Sequence, residues 1–261
     1  MPRLFMMRVY LSTSDLKVMP GYYSPFLREK ECAGLIPIPD EHIPQDRLPA
    51  HLDPCRAIEP CTGLKYEMLQ PLEWSWILHR DPRLDLGFYT DPRFNRVRSG
   101  DIVLFVAGLA EYPRGFWGSR RWSIKEIRRV FTDSVRQGKA GIYVVGGIIV
   151  EKVLNISRLK DGWKKALEIA PILKYSPHYY HGNDYPVALI GKSFILEPPL
   201  PVSKPVPGKL VGPPTRLLVK LLGEEKAYAY ARKNYRKSSG RAEVEMEKIL
   251  YVLRMNAKIL F

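Results

Sequence analysis

Two blocks of β-branched and aromatic residues, about thirty positions apart, constrain this chain most. Ser99-Gly100-Asp101 leads into the run Ile102–Gly108, and Gly141 leads into a second run that ends at Val150. Runs of this length, bounded by turn residues, are too short for an ordinary globular helix and too apolar for a loop. They predict two neighbouring strands of one central sheet or small barrel. Between them, residues 111–122 are rich in aromatics, glycine and arginine. A rigid sheet that holds out such a loop is a common way to build a recognition site.

The rest of the pattern fits around this pair. Residues 4–11 predict a first strand and 187–190 another. Nine prolines between 20 and 73 remove backbone donors, so that stretch predicts ordered coil packed over the core or covering a site. Ser123 and Glu126 match a capping box. The helix they open carries Ile124, Ile127, Val130 and Phe131 on one face and ends near Gly138. A short helix is expected over 159–169, closed by Pro171. Seven prolines between 197 and 214 predict a stiff linker. Helices over 215–235 and 241–256 follow, and Leu217, Leu218, Leu221 and Leu222 form a stripe that docks on the core or on a second subunit. These elements predict an α+β fold: a mixed, mostly antiparallel sheet or small barrel with flanking helices and a C-terminal helical extension. The division is a domain over 1–202 and a proline-rich linker with a basic helical tail over 203–261.

The formal charge is +14 over 261 residues, and the tail contributes +8 of it. An excess of this size points to a polyanionic partner, DNA or RNA. No apolar run reaches the ~20 residues that span a bilayer, and the first ten residues lack the long apolar stretch of a signal peptide. A cytoplasmic protein without a membrane partner is expected. Cys32, Cys55 and Cys61 show no C-x2-C pair, so despite His51 nearby no metal site or cofactor is predicted, and the cysteines are read as small apolar residues. Only three Gln and five Asn against 23 Pro suit a chain adapted to high temperature.

Three groups of residues carry candidate chemistry. Arg114, Phe116, Trp117, Arg120, Arg121 and Trp122, with Arg128 on the helix that follows, combine stacking rings with phosphate-pairing cations, the ingredients of single-strand or flipped-base recognition. Asp-Pro recurs at 53–54, 81–82 and 91–92, a turn signal whose carboxylates are also suited to accept from base amino groups. His51 and Asp53 would share a face in an extended segment, and with Asp85, Asp101 and His178 they form the expected pocket set. Gly191-Lys192-Ser193 resembles the end of a phosphate loop, but Pro186 stands where its first glycine is required. A Walker site is therefore rejected, and Lys192 is kept as a phosphate contact.

On the residues His51-Leu-Asp-Pro54, Arg98-Ser-Gly-Asp101 with its strand, the strand Val144–Val153, and Ser176-Pro-His178 with Tyr185–Ile190, the chain resembles the nucleotide-modification-associated domain family. More distantly it is similar to the PUA-like superfamily of EVE, ASCH and YTH domains. The resemblance implies a PUA-like central sheet, a ligand that is a modified base in nucleic acid, and functional positions at Asp53, Asp101 and His178. The expected function is nucleic-acid or nucleotide binding. An enzyme acting on a base, with His178 as acid or base and Asp53 or Asp101 positioning it, is the alternative. An interaction protein that uses its tail as an arm is the third reading.

Overall fold

The structure is a computed structural model and describes residues 2–9, 24–35, 62–69, 71–73, 84–180, 185–232, 240–243 and 245–260. Its strands are β1 (Arg3–Arg8), β2 (Ser24–Leu27), β3 (Cys32–Ala33), β4 (Phe88–Asp91), β5 (Ile102–Ala110), β6 (Ala140–Asn155), β7 (Val187–Pro201), β8 (Gly240–Glu243) and β9 (Lys258–Leu260). They join in one mixed, mostly antiparallel sheet curled into a half-barrel, the α+β arrangement expected from the sequence. The two founding blocks pair antiparallel, Ile102 opposite Ile149 and Ala110 opposite Ala140. β7 continues the antiparallel spine on the far side of β6. β1 and β2 run parallel to β5, one at each end. β4 and β9 share the outer edge of β7.

All nine residues of β5 are buried, so the sheet is covered on both faces. On the concave face Val103, Phe105, Ala107 and Leu109 pack with Phe5, Met7, Tyr89, Val145 and Leu189. The curl is visible in one contact: the Tyr89 ring of β4 lies 4.9 Å from the Phe105 ring of β5, although β6 and β7 separate those strands in the sheet. On the convex face Ile102, Leu104, Val106 and Phe194 pack against the helices Ile124–Arg136, Arg216–Leu222 and Met246–Arg254. A second convex layer, built on Phe88, Leu154, Trp163 and Ala188, lies under the helix Trp163–Ile169.

Tertiary pairing altered several expectations. β7 runs past residue 190 into the proline-rich stretch, where the register moves from Gly146 opposite Ile195 to Val144 opposite Leu200. That bulge takes up Pro198 and Pro199, which have no N–H to donate. Residues 241–243, expected to open a helix, instead join Gly240 in β8 because the edge of β1 offers them a partner. Residues 215–235 make two helices, Arg216–Leu222 and Glu224–Arg232, divided at Gly223. The segment after 202 thus supplies β8 and β9 to the sheet, and its leucine stripe docks on the main core. Cys32 is held in a disulfide rather than standing as a free apolar residue, and its partner lies outside the described residues.

One buried ion pair fixes the start of the spine. The Asp101 carboxylate accepts from the Arg3 backbone N–H at 2.9 Å and Nε at 3.1 Å, from Arg3 Nη2 at 2.5 Å, and from the Arg98 backbone N–H at 2.7 Å. Both side chains are buried, so β1 is locked beside β5 and a one-residue slip would strand a charge in the core. Breaking such a pair from one side leaves the other charge unpaired, at a cost of roughly 3–5 kcal/mol. Asp101→Asn should therefore lower the chemical-denaturation free energy by about that amount. A loss below about 1 kcal/mol would mean that water relieves the pair.

Candidate functional site

β7 presents alternate residues to the convex face. Ala188 and Ile190 meet the layer under Trp163–Ile169, whereas Phe194 and Leu196 meet the main helical layer. Lys192 falls between them, in the seam where the two layers do not touch. Its cross-strand partner is Ile149, so both face the same groove. The backbone is pinched here: a Cβ on Gly191 would lie 2.0 Å from the Ile149 carbonyl oxygen, so only glycine lets β7 approach the bulge of β6 before Lys192. The groove encloses about 610 Å³ and is lined by Asp85, Leu86, Gly87, Ile149, Lys192, Ser193, Leu250 and Arg254. Leu250 and Arg254 stand one turn apart on Met246–Arg254 and share a face. Ser193 Oγ accepts from the Gly87 N–H at 3.0 Å and ties the 84–87 turn to β7. Among the described residues, two cations, one carboxylate and an apolar floor suit an anion that carries a flat apolar part.

Asp85 and Lys192, which the sequence placed in different groups, thus meet in one groove. Arg254 and Leu250 were missed, because nothing in a basic tail marks which arginine folds back onto the sheet. Asp101 lies apart from the groove, its four acceptor sites filled by Arg3 and Arg98. Asp101, one of the two carboxylates offered to position His178 in the alternative reading, is engaged by Arg3 and Arg98 instead. His178 is half-buried on the turn Pro177–Tyr180. His51, Asp53, Cys55 and Cys61, and with them the Asp-Pro at 53–54 and 81–82, lie outside the described residues. Asp91 of the third Asp-Pro accepts from the Arg93 N–H at 2.8 Å, which is the turn-capping role.

The aromatic loop is spent on itself. Phe116 and Trp117 are buried in the main core. Tyr112 stacks on Phe116 at 5.5 Å, Phe116 stacks on Trp122 at 4.5 Å, and the Arg120 guanidinium caps Trp122 at 3.6 Å. Trp117 meets both Tyr112 and Phe116 edge-on. The stacking faces expected for bases are therefore filled by neighbouring side chains. Trp122 Nε1 donates to the Phe116 carbonyl at 2.8 Å, and Arg121 donates to the Pro71 carbonyl at 2.6 Å. Arg114, Arg120, Lys125, Arg128 and Arg129 remain exposed along this side of the molecule.

No family model, curated protein or solved structure matches the chain.

Trp117→Ala should cost about 3–5 kcal/mol of stability, the usual result for a large aromatic removed from a core; an unchanged denaturation midpoint would place the ring outside it. Glu126 offers a second test. The Ser123 backbone N–H, then the Arg120 side chain and the Ser123 hydroxyl, hold its carboxyl down to about 2, from an ordinary 4.5. A carboxyl depressed in the folded state stabilises fully above its unfolded value, and that contribution is lost as pH falls through the folded one. The stability gap between wild type and Glu126→Gln should shrink as pH is lowered from about 5 towards 2. A gap independent of pH would leave the capping box with no charge contribution.

Proposed function

We propose that the protein binds a nucleotide unit of a nucleic acid, with the phosphate held between Lys192 and Arg254 and the base laid on Leu86, Ile149 and Leu250. The groove carries this reading: among the described residues it puts two cations and a single carboxylate over an apolar floor, in a chain of net charge +14. Asp85 is the natural acceptor for a base amino group. The exposed arginines and Lys125 on and before Ile124–Arg136 add cations that a phosphate backbone could pair with.

The resemblance to the nucleotide-modification-associated and PUA-like families supports the same ligand class and suggests a modified base as the preferred form. The reading is one of binding and assigns no proton-transfer step. No helix among the described residues is long and apolar enough to cross a membrane. A cytoplasmic setting belongs to this proposal. A disulfide at Cys32 is compatible with it in a chain working at high temperature, where intracellular disulfides persist.

The test is a binding titration with short single-stranded DNA and RNA at two salt concentrations, comparing wild type with Lys192→Ala and Arg254→Ala. A charge-assisted phosphate contact contributes about 1.5–3 kcal/mol, so each variant should bind roughly ten- to a hundredfold more weakly. Each should also flatten the salt dependence, with the unfolding midpoint unchanged. Equal affinity in all three proteins would remove the groove from the interface. No binding by wild type at low salt would end the nucleic-acid reading.

A further inference from the structure

A second concavity lies on the outer side of the Trp163 layer. It encloses about 570 Å³, within the roughly 300–1,000 Å³ of small-molecule sites, and Asp161, Gly162, Trp163, Tyr179, Tyr185 and Ser157 are among its lining residues. Its walls are aromatic. Tyr179 meets Trp163 at 5.4 Å with the rings inclined by 68°, so the two form a corner. The third wall is Tyr185, whose ring passes so close to Gly162 that a Cβ there would lie 3.1 Å from it. Tyr179 is 37% exposed and Tyr185 46%, large rings left open to solvent where most others are covered. Two open rings beside a buried third give a flat ligand faces to stack on.

The polar groups narrow the ligand. Among the described residues of the lining Asp161 is the one carboxylate, and its side chain makes no hydrogen bond with the described residues. Lys160 and Lys164 on either side of it are exposed. An organic cation would be repelled by those lysines, whereas a base attached to a phosphate would be attracted. A carboxylate accepts two parallel N–H bonds. Among the ordinary bases, guanine presents two adjacent N–H donors, N1–H and the N2 amine, on its Watson–Crick edge. Adenine and cytosine place a ring-nitrogen acceptor beside their amine, and a carboxylate repels it. Uracil and thymine offer one N–H between two carbonyls.

We infer that this aromatic cleft takes one unstacked guanine base of the bound strand, held between the rings and read by Asp161. This rests on the nucleic-acid reading above and adds a base preference to it. The two concavities flank the same layer: Leu86 of the groove packs on the cluster that contains Ile156 and Trp163 of the cleft. A strand whose phosphate is gripped at Lys192 is thus held against the layer that carries the cleft.

The experiment compares affinities for short single strands that differ at one position, guanine against adenine, cytosine, uracil and inosine. Inosine keeps N1–H and lacks the N2 amine. Wild type should prefer guanine over adenine at least about tenfold, with inosine between them, since one lost bond to a charged group is worth about 1.5–3 kcal/mol. Asp161→Asn should abolish that preference yet leave the salt-dependent affinity for the strand intact. Asparagine tolerates the left-handed backbone of Asp161, φ +66°, so the turn persists. Tyr185→Leu, at an exposed ring, should weaken binding of every base by about 1–3 kcal/mol of lost stacking, roughly five- to a hundredfold. Strand binding with no base preference, or a preference that survives Asp161→Asn, would overturn the inference and leave the groove reading standing. Absence of strand binding by wild type would overturn both, and Lys192→Ala distinguishes the two sites because it should lower affinity without altering the guanine preference.

Discussion

The curl of the sheet is the constraint on which everything else depends. β5 is apolar at every position, so neither of its faces can be left to water. The concave face solves this by closing on itself, with Tyr89 reaching Phe105 across two intervening strands. The convex face requires covering layers, which come from distant parts of the chain. The Arg3–Asp101 pair holds β1 in register at the point where the curl begins. A buried pair of this kind adds little net stability over an apolar pair of the same shape. What it supplies here is one allowed alignment of β1 on β5, and through β1 a place for β8.

The candidate sites follow from how the convex face is covered. Two separate layers meet a continuous strand, and between them one position of β7 faces neither. An apolar residue there would lie half-wet; Lys192 instead reaches solvent along the seam. The final helix then brings Leu250 and Arg254 to the same groove. The outer layer ends in a second concavity, where Trp163 anchors the corner and Tyr179 and Tyr185 stay open. Both concavities arise at edges of packing layers, which is where polar and aromatic groups can be held rigidly without being buried.

The aromatic loop shows why residue type does not set residue role. Each ring pair contributes about 0.5–1.5 kcal/mol beyond its burial, and Tyr112, Phe116, Trp117 and Trp122 satisfy one another at 4.5–5.5 Å. Self-stacking of this kind needs no ligand; it buries Phe116 and Trp117 and covers Trp122 between Phe116 and Arg120. The arginines on the same loop are pushed outward by the same packing, so the positive surface survives while the stacking platform does not.

The central pair of strands, the capped helix at Ser123, the α+β class and the cationic excess were legible in the sequence, because each rests on local pattern: β-branched runs, a Ser-x-x-Glu spacing, a count of charges. Local pattern could not show that residues 240–243 would join β1, that the prolines after 197 would be taken up by a bulge, or that the tail leucines would choose the core over a second subunit. Those outcomes depend on which edge or surface is left open once the spine has formed. The candidate site divides in the same way. Lys192 and Asp85 were recognisable as chemistry-bearing residues, whereas their meeting, the addition of Arg254 and the withdrawal of Asp101 into an ion pair were decided by long-range contacts. The Arg3–Asp101 pair joins positions 98 residues apart and the Gly87–Ser193 bond positions 106 apart, separations over which neither period nor propensity carries information.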